Sequence, residues 1–489
     1  MSKPFRLFSV GMFAVACVCV SAVWVRGQVA ETTARIDLAK LPVVKVEVQV
    51  GRRRNVSFLR SIAGVDKAAQ RIAAVNLSHG STPVAFKRLT DGEFLADADF
   101  DTISYEVDLS PMNSRSSSAH VSWFSKDIGV LMGADLLPQL PNVTGSITFT
   151  GIPPRFEIFS TEKAESAARF TARDPENAVF YIGSAWRREA VFRYKESAVW
   201  ITSGQWQFGD ADATTMIADI LIQYQNVFGD PEPLPNVNVG IVKFPMPTEA
   251  GAWEADTRGR NVLIVSSDMP FRTQSLQRLH EQLRHELFHL WIPNGVNLTG
   301  NYDWFYEGFA LYESLKLAVR LNRISFADFL DTLSRAHTID SAQSQRISLI
   351  QASANRFGGS NTQVYARGML VAFLTDLTML EASRGKRSVE DLLRDLYAKH
   401  GKPAEPADGN AAVIEMLKTR GVAGVIVEKY IDGAEKIEWT NELSAAGIED
   451  SDPGVLTTLR VKEKLSGGQK AMLDKLGYNN WRKLSVPSK

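Results

Sequence analysis

Cysteine is almost absent. The 489 residues contain two, Cys17 and Cys19, and both fall inside one apolar run near the N-terminus. Disulfide staples and a cysteine nucleophile are therefore excluded for the rest of the chain, and stability has to come from buried apolar surface. An excess of one charge is absent too: 55 Lys and Arg face 55 Asp and Glu, for a formal net charge of zero. That balance gives no footprint for a nucleic-acid partner. The local basic stretches, Arg52-Arg53-Arg54 and Lys462 to Lys483, read as solvated surface. No internal repeat or low-complexity tract stands out. What is present is an ordinary globular composition, 45% hydrophobic, spread over a length that exceeds one core, so two or three domains are expected.

The beginning of the chain is different in kind. Lys3 and Arg6 precede an uncharged apolar run from Leu7 to Val25, the layout of an export signal. Small residues at Ser21-Ala22, Gly27 and Ala30 offer cleavage points, and the run is also long enough to stay as a membrane anchor. Ala14-Val15-Ala16-Cys17 faintly resembles a lipidation motif but lacks its usual leucine. The expectation is an exported chain, periplasmic or secreted, with anchorage through this segment as the alternative. A thiol-free remainder suits an oxidising compartment. The sequons at Asn55, Asn76, Asn142 and Asn297 would matter only in a eukaryotic secretory route.

From about Leu41 to Phe159 short alternating stretches such as Val44-Lys45-Val46-Glu47-Val48-Gln49-Val50 predict half-buried antiparallel strands. Pro138, Pro141, Pro153 and Pro154 punctuate the end of this region. Further strands are expected at Asn177 to Gly183, Val237 to Phe244 and Asn261 to Ser266, with an amphipathic helix from Ala211 to Val227. From Gln274 onward the apolar spacing becomes helical, through Leu283, Leu287 and Leu290, then Phe309, Leu311, Leu315 and Val319. Helices are also expected at Phe326 to Ala336, Met369 to Glu381, Val389 to His400 and Asn410 to Lys418. Strands followed by helices indicate an α+β chain of several domains.

The chemistry is concentrated in His285-Glu286-Leu287-Phe288-His289, inside a run without Pro or Gly from Thr273 to Ile292. On a helix, residues four apart lie one turn above each other, so both imidazoles face the same way and can bind one cation. Neutral imidazoles suit zinc, a carboxylate can complete a three-ligand set, and the fourth position stays open. Glu286 then stands beside the metal as a general base. Trp304-Phe305-Tyr306-Glu307-Gly308-Phe309-Ala310 supplies the carboxylate, Glu307, if the first helix ends near Pro293-Asn294-Gly295 and a second returns against it. Only seven histidines occur in the chain, so the pairing on one helix face carries weight.

These two segments resemble the motifs of the gluzincin metallopeptidases, and most of all those of the glycyl aminopeptidase family. Val364-Tyr365-Ala366-Arg367-Gly368-Met369-Leu370 is similar to that family's Tyr-x-Lys-Gly element. The resemblance implies a zinc peptidase with one ion per chain, acting on a peptide or protein substrate, and it implies Tyr365 as the donor to the oxyanion. It also implies a thermolysin-like α+β catalytic domain, expected at 171–345. An antiparallel β domain at 31–170 would precede it, and a helical domain at 346–489 would follow. Residues 1–30 form the signal or anchor. Gly251-Ala252-Trp253-Glu254-Ala255 is only similar to the related aminopeptidases' amine-binding segment, which makes Glu254 a candidate anchor for the substrate's free amine. Relatives commonly carry a PDZ module after the helical region, for which too few residues follow Gly447. Asp303 and Glu313 are candidates to hydrogen-bond a ligand imidazole. His79, His120, His280, His337 and His400 read as packing or surface residues. An endopeptidase with the same site, or an inactive zinc-binding protein, are the competing readings.

Overall fold

The computed structural model describes residues 32–140, 144–421, 424–450 and 457–479. The expected export segment and Asn142 lie outside them. No helix among the described residues is long and apolar enough to cross a membrane. The architecture is α+β in several parts: β layers first, a mixed sheet with the site helices next, and helices last.

The alternation read in the sequence has a direct structural cause. In the strand Val43–Ser57 the residues Val44, Val46, Val48 and Val50 are buried while Lys45, Glu47 and Gln49 are exposed, as a pleat with one wet face requires. This strand pairs antiparallel with Glu93–Asp108, with Val46 opposite Tyr105, at the centre of a nine-stranded sheet. A second sheet of four strands includes Ile128–Met132 and Val179–Gly183, paired antiparallel. Phe100, Tyr105 and Phe149 of the first sheet share one apolar core with Leu131, Phe180 and Ile182 of the second. The β layers thus run on past residue 170 to Gly183.

A five-stranded mixed sheet follows, in the order Arg187–Ala190, Ala198–Thr202, Val237–Val242, Asn261–Ser266, Trp253–Arg258. The strands Ala198–Thr202, Val237–Val242 and Asn261–Ser266 run parallel, and the latter two are buried at every position, as expected for strands covered on both faces. Trp253–Arg258 pairs antiparallel and closes one end of the sheet. Against this sheet lies the metal helix Arg272–Phe288. It stops short of the Thr273 to Ile292 span its composition permits: past Phe288 the bonds tighten, with His289 N–H donating to the Glu286 carbonyl at 3.1 Å and Trp291 N–H to the Phe288 carbonyl at 3.1 Å. That last tight turn reverses the chain into the carboxylate helix Asp303–Arg320.

The carboxylate helix meets the long helix Gly368–Ala382 at a glycine pair. A Cβ on Gly308 would lie 2.3 Å from the Gly368 carbonyl carbon, and one on Gly368 would lie 2.6 Å from the Trp304 oxygen. Only hydrogen fits between the two backbones, so the Glu-Gly of one sequence motif and the Arg-Gly of the other are the two halves of one crossing. Gly308→Ala is expected to push the helices apart and to destabilise the protein by about 1–3 kcal/mol, read as a lower denaturant midpoint. An unchanged midpoint would mean the crossing tolerates a methyl group.

Candidate metal centre and cleft

The metal helix does what four-residue spacing demands. His285 and His289 share one face of the helix and meet edge to face, with ring centroids 4.9 Å apart. Glu307 arrives from the carboxylate helix, and one atom from each of the three residues falls within 4.8 Å of the others. The Nε2 atoms of His285 and His289 are 3.3 Å apart, and Glu307 Oε2 stands 3.1 Å from the first and 3.6 Å from the second. Two ligands each about 2.05 Å from zinc at a tetrahedral angle lie about 3.3 Å apart. The three separations are those of one face of such a tetrahedron, so the donor set fits a zinc ion in type, number and spacing. All three residues are buried.

The charges agree with that reading. Burial opposes ionisation of Glu307, yet the Arg356 guanidinium and His289 hold its carboxyl well below the ordinary range. Burial likewise opposes a charge on His289, and Glu307 outweighs it, lifting the imidazole to about 9. The pocket therefore draws positive charge to the point where the three acceptor atoms meet. His289 Nδ1 stands 3.0 Å from the Ile292 carbonyl; a carbonyl only accepts, so Nδ1 carries a hydrogen, and Nε2 is the atom that would give up its proton to take a metal. This corrects the expectation for Asp303 and Glu313, neither of which reaches an imidazole. Asp303 lies one turn before Glu307 and pairs with Arg356 at 2.9 Å. Glu313 points to another face of the helix, where it meets Lys316 at 3.4 Å in a buried cluster with Asp376 and Glu390.

Glu286 sits beside the ligands, its Oε1 4.0 Å from His285 Nε2. Its Oε2 accepts a hydrogen bond from the Thr257 hydroxyl at 2.9 Å. Burial pushes its carboxyl above the usual value, although both imidazoles draw it back, which favours taking up a proton. Tyr365 closes the other side, with its ring 6.3 Å from that of His285, and burial holds its phenol well above its ordinary value. All of these line one cavity of about 790 Å³, together with Trp253, Glu254, Ser116, His120 and Gly64.

Two functional neighbours had no signal in the sequence. Arg356 contacts Glu307, Asp303 and Tyr365 at once, from a short turn between helices. Arg115, from the β layers, donates from Nε to Glu254 at 3.0 Å and from Nη1 to Glu249 at 2.5 Å. Glu254 itself belongs to the end strand Trp253–Arg258, not to a loop. His120, read as a packing residue, reaches the cavity wall and pairs with Asp256 at 3.2 Å.

No protein-family model and no curated protein matches the sequence. Solved structures do match in fold. An aminopeptidase N family protein from Idiomarina loihiensis superposes with a TM-score of 0.72 at 15% identity, covering 89% of this chain and 82% of its own. The fold is that of the M1 zinc metallopeptidases. One from Deinococcus radiodurans matches with a TM-score of 0.51 at 13% identity, over 84% of this chain and 94% of its own. A variant of the same enzyme, bound to a Tyr-Ser-Ala substrate, matches with a TM-score of 0.53 at 15% identity. The M1 fold also agrees with the gluzincin resemblance of the sequence motifs.

A zinc titration of metal-free protein is expected to saturate at one ion per chain and to raise the thermal midpoint, because the ion binds only the folded state. His289→Ala is expected to abolish both effects. Full zinc uptake by that variant would place the metal elsewhere.

Proposed function

We propose that the chain is an exported zinc-dependent aminopeptidase, acting in the periplasm or outside the cell on short peptides. The observation that carries the reading is the tetrahedral spacing of His285, His289 and Glu307 with the Glu286 carboxylate beside it. When bound there, zinc supplies a Lewis acid that acidifies water and polarises a carbonyl. The protein's own groups do the rest. Glu286, oriented by Thr257, takes the proton of the attacking water and then passes it to the leaving amine. Tyr365 donates to the oxygen that becomes negative, an interaction stronger in the transition state than in the ground state. Among the described residues the strand Trp253–Arg258 pairs on one side only, and its residues 253–257 line the cavity, so an extended peptide can add to it. Glu254 on that strand offers a carboxylate to the substrate's free amine. Glu286→Gln is expected to bind zinc normally while hydrolysis falls about 10²–10⁴-fold. Equal activity would remove Glu286 from the mechanism, and no hydrolysis by the unaltered protein would favour a zinc-binding protein without turnover.

The Arg115 ion pair favours an endopeptidase as the second reading, because it already answers the charge that an amine would need. Matched peptides with free and acetylated N-termini separate the two. The aminopeptidase reading expects free-amine peptides to be preferred by at least about tenfold in kcat/KM, since loss of one charged contact is worth more than about 1.4 kcal/mol. It further expects Arg115→Ala to lower KM for free-amine peptides with kcat little changed, as Glu254 is released. Equal rates on blocked and free peptides would establish the endopeptidase.

A further inference from the structure

The least expected side chain in the cavity is Arg356. It lies in the turn Arg356–Gly358, directly after the helix Leu349–Ala354, and its neighbour Phe357 packs over Gly64 of the β layers, where an added Cβ would come within 2.9 Å of the ring. The guanidinium is largely buried, with its side chain 14% exposed. Nη1 lies 2.9 Å from Asp303 Oδ1 and 2.9 Å from Glu307 Oε1, and Nη2 donates to the Tyr365 hydroxyl at 2.6 Å. Nε is buried without a partner. One planar head thus serves two carboxylates and a phenol, which an ammonium on a flexible stem cannot do in the same fixed geometry.

Two consequences follow from where these hydrogens point. Glu307 has two oxygens; Arg356 occupies Oε1, while Oε2 faces His285 and His289. A phenol has one hydrogen and two lone pairs. Because Arg356 donates into the Tyr365 oxygen, the phenol hydrogen cannot lie in that direction; it is left to the acceptors on the other side, where the Glu307 carboxylate takes it until a substrate carbonyl displaces it. A cation donating to the same oxygen also strengthens the hydrogen bond that the phenol gives.

We propose that Arg356 is a positioning residue that restricts Glu307 to one ligand oxygen and turns the Tyr365 hydroxyl toward the reacting carbonyl. Its polar contacts are with Asp303, Glu307 and Tyr365. The second half rests on the peptidase reading above; the first half concerns the ligand alone. Arg356 therefore acts through two partners, and each is tested separately.

The full-length protein, Arg356→Gln, Arg356→Lys, Tyr365→Phe and the Arg356→Gln/Tyr365→Phe double variant are compared by two readouts. The first is the d–d absorption of the Co2+-loaded proteins, which reports coordination number without turnover. Arg356→Gln is expected to weaken and shift the band, as Oε1 becomes free to join Oε2, while Tyr365→Phe leaves it unchanged. The second is kcat and KM on a free-amine chromogenic substrate. Arg356→Gln is expected to lower kcat at least tenfold with KM within about twofold, and to cost less than about threefold more when Tyr365 is already Phe. Arg356→Lys, which keeps the charge and loses the fork, is expected to fall between wild type and Arg356→Gln in both readouts and guards against a folding failure of the neutral variant. An unaltered Co2+ spectrum in Arg356→Gln overturns the ligand half. Losses that multiply in the double variant, a wild-type kcat in Tyr365→Phe, or a rise in KM alone overturn the phenol half. Should the unaltered protein hydrolyse no peptide, the peptidase reading fails with the phenol half, and the Co2+ spectra still decide the ligand half.

Discussion

An ionised carboxylate in a protein interior has to be met by positive charge, and Glu307 sets that demand for the whole site. It is buried, and its carboxyl is held well below the ordinary range by Arg356 and His289. Each oxygen is answered from a different direction: Oε1 by a guanidinium, Oε2 by two imidazoles whose Nε2 atoms lie 3.3 Å apart, a spacing that a shared cation fits. The helices must bring all of these within hydrogen-bonding reach. The glycine crossing at Gly308 and Gly368 permits that closeness, because it lets the backbone carrying Glu307 lie against the one leading from Tyr365.

The carboxylate helix is held at its other end by a second buried ionic group. Lys316 lies 3.0 Å from Asp376 and 3.3 Å from Glu390, with Glu313 on the same helix at 3.4 Å, and the Asp376 carboxylate also accepts from Tyr312 at 2.7 Å. Apolar packing resists separation of two helices but only weakly resists their rotation, whereas charged hydrogen bonds are directional. Arg356 at one end and the Asp376 and Glu390 partners at the other therefore fix the rotation of the helix and with it the aim of Glu307. All three partners come from chain after the metal motif, so the helical region is part of the scaffold of the site and not an appendage to it.

What could be read in advance follows from which physical signals are local. Imidazoles at i and i+4 on one face are a property of one helix, and the strand Val43–Ser57 shows its buried face in plain alternation, so both were legible. Glu307 was legible because Trp304 to Ala310 forms a compact motif on an amphipathic helix. The strand Trp253–Arg258 was not read as a strand: it sits at a sheet end against the cavity, almost every residue is half-buried, and no alternation survives. Arg356 was invisible for a different reason. It lies in a glycine-bearing turn with no periodicity, and its partners Asp303 and Glu307 are remote in sequence. Asp303 was noticed as a neighbour of the motif, but sequence order could not tell that a guanidinium from a later turn would claim it before an imidazole did.

The cleft divides its labour by origin. His285, Glu286, Glu307 and Tyr365 come from helical segments, and Arg356 from a turn beside them. The facing wall comes from elsewhere: the end strand supplies Trp253 and Glu254, and the β layers supply Gly64, Ser116 and His120, with Arg115 paired to Glu254. The β layers are tied to that strand by charge, with Arg258 donating to the His120 carbonyl at 2.9 Å and Asp256 meeting both Arg258 and His120. A metal site can therefore stay fixed in geometry while the wall facing it changes in shape and charge. Chains with the M1 fold at 13–15% identity to this one have ample room for such change. The ion pair between Arg115 and Glu254 lies on that wall, where the two regions meet, at some remove from the helices that carry His285 and Glu307.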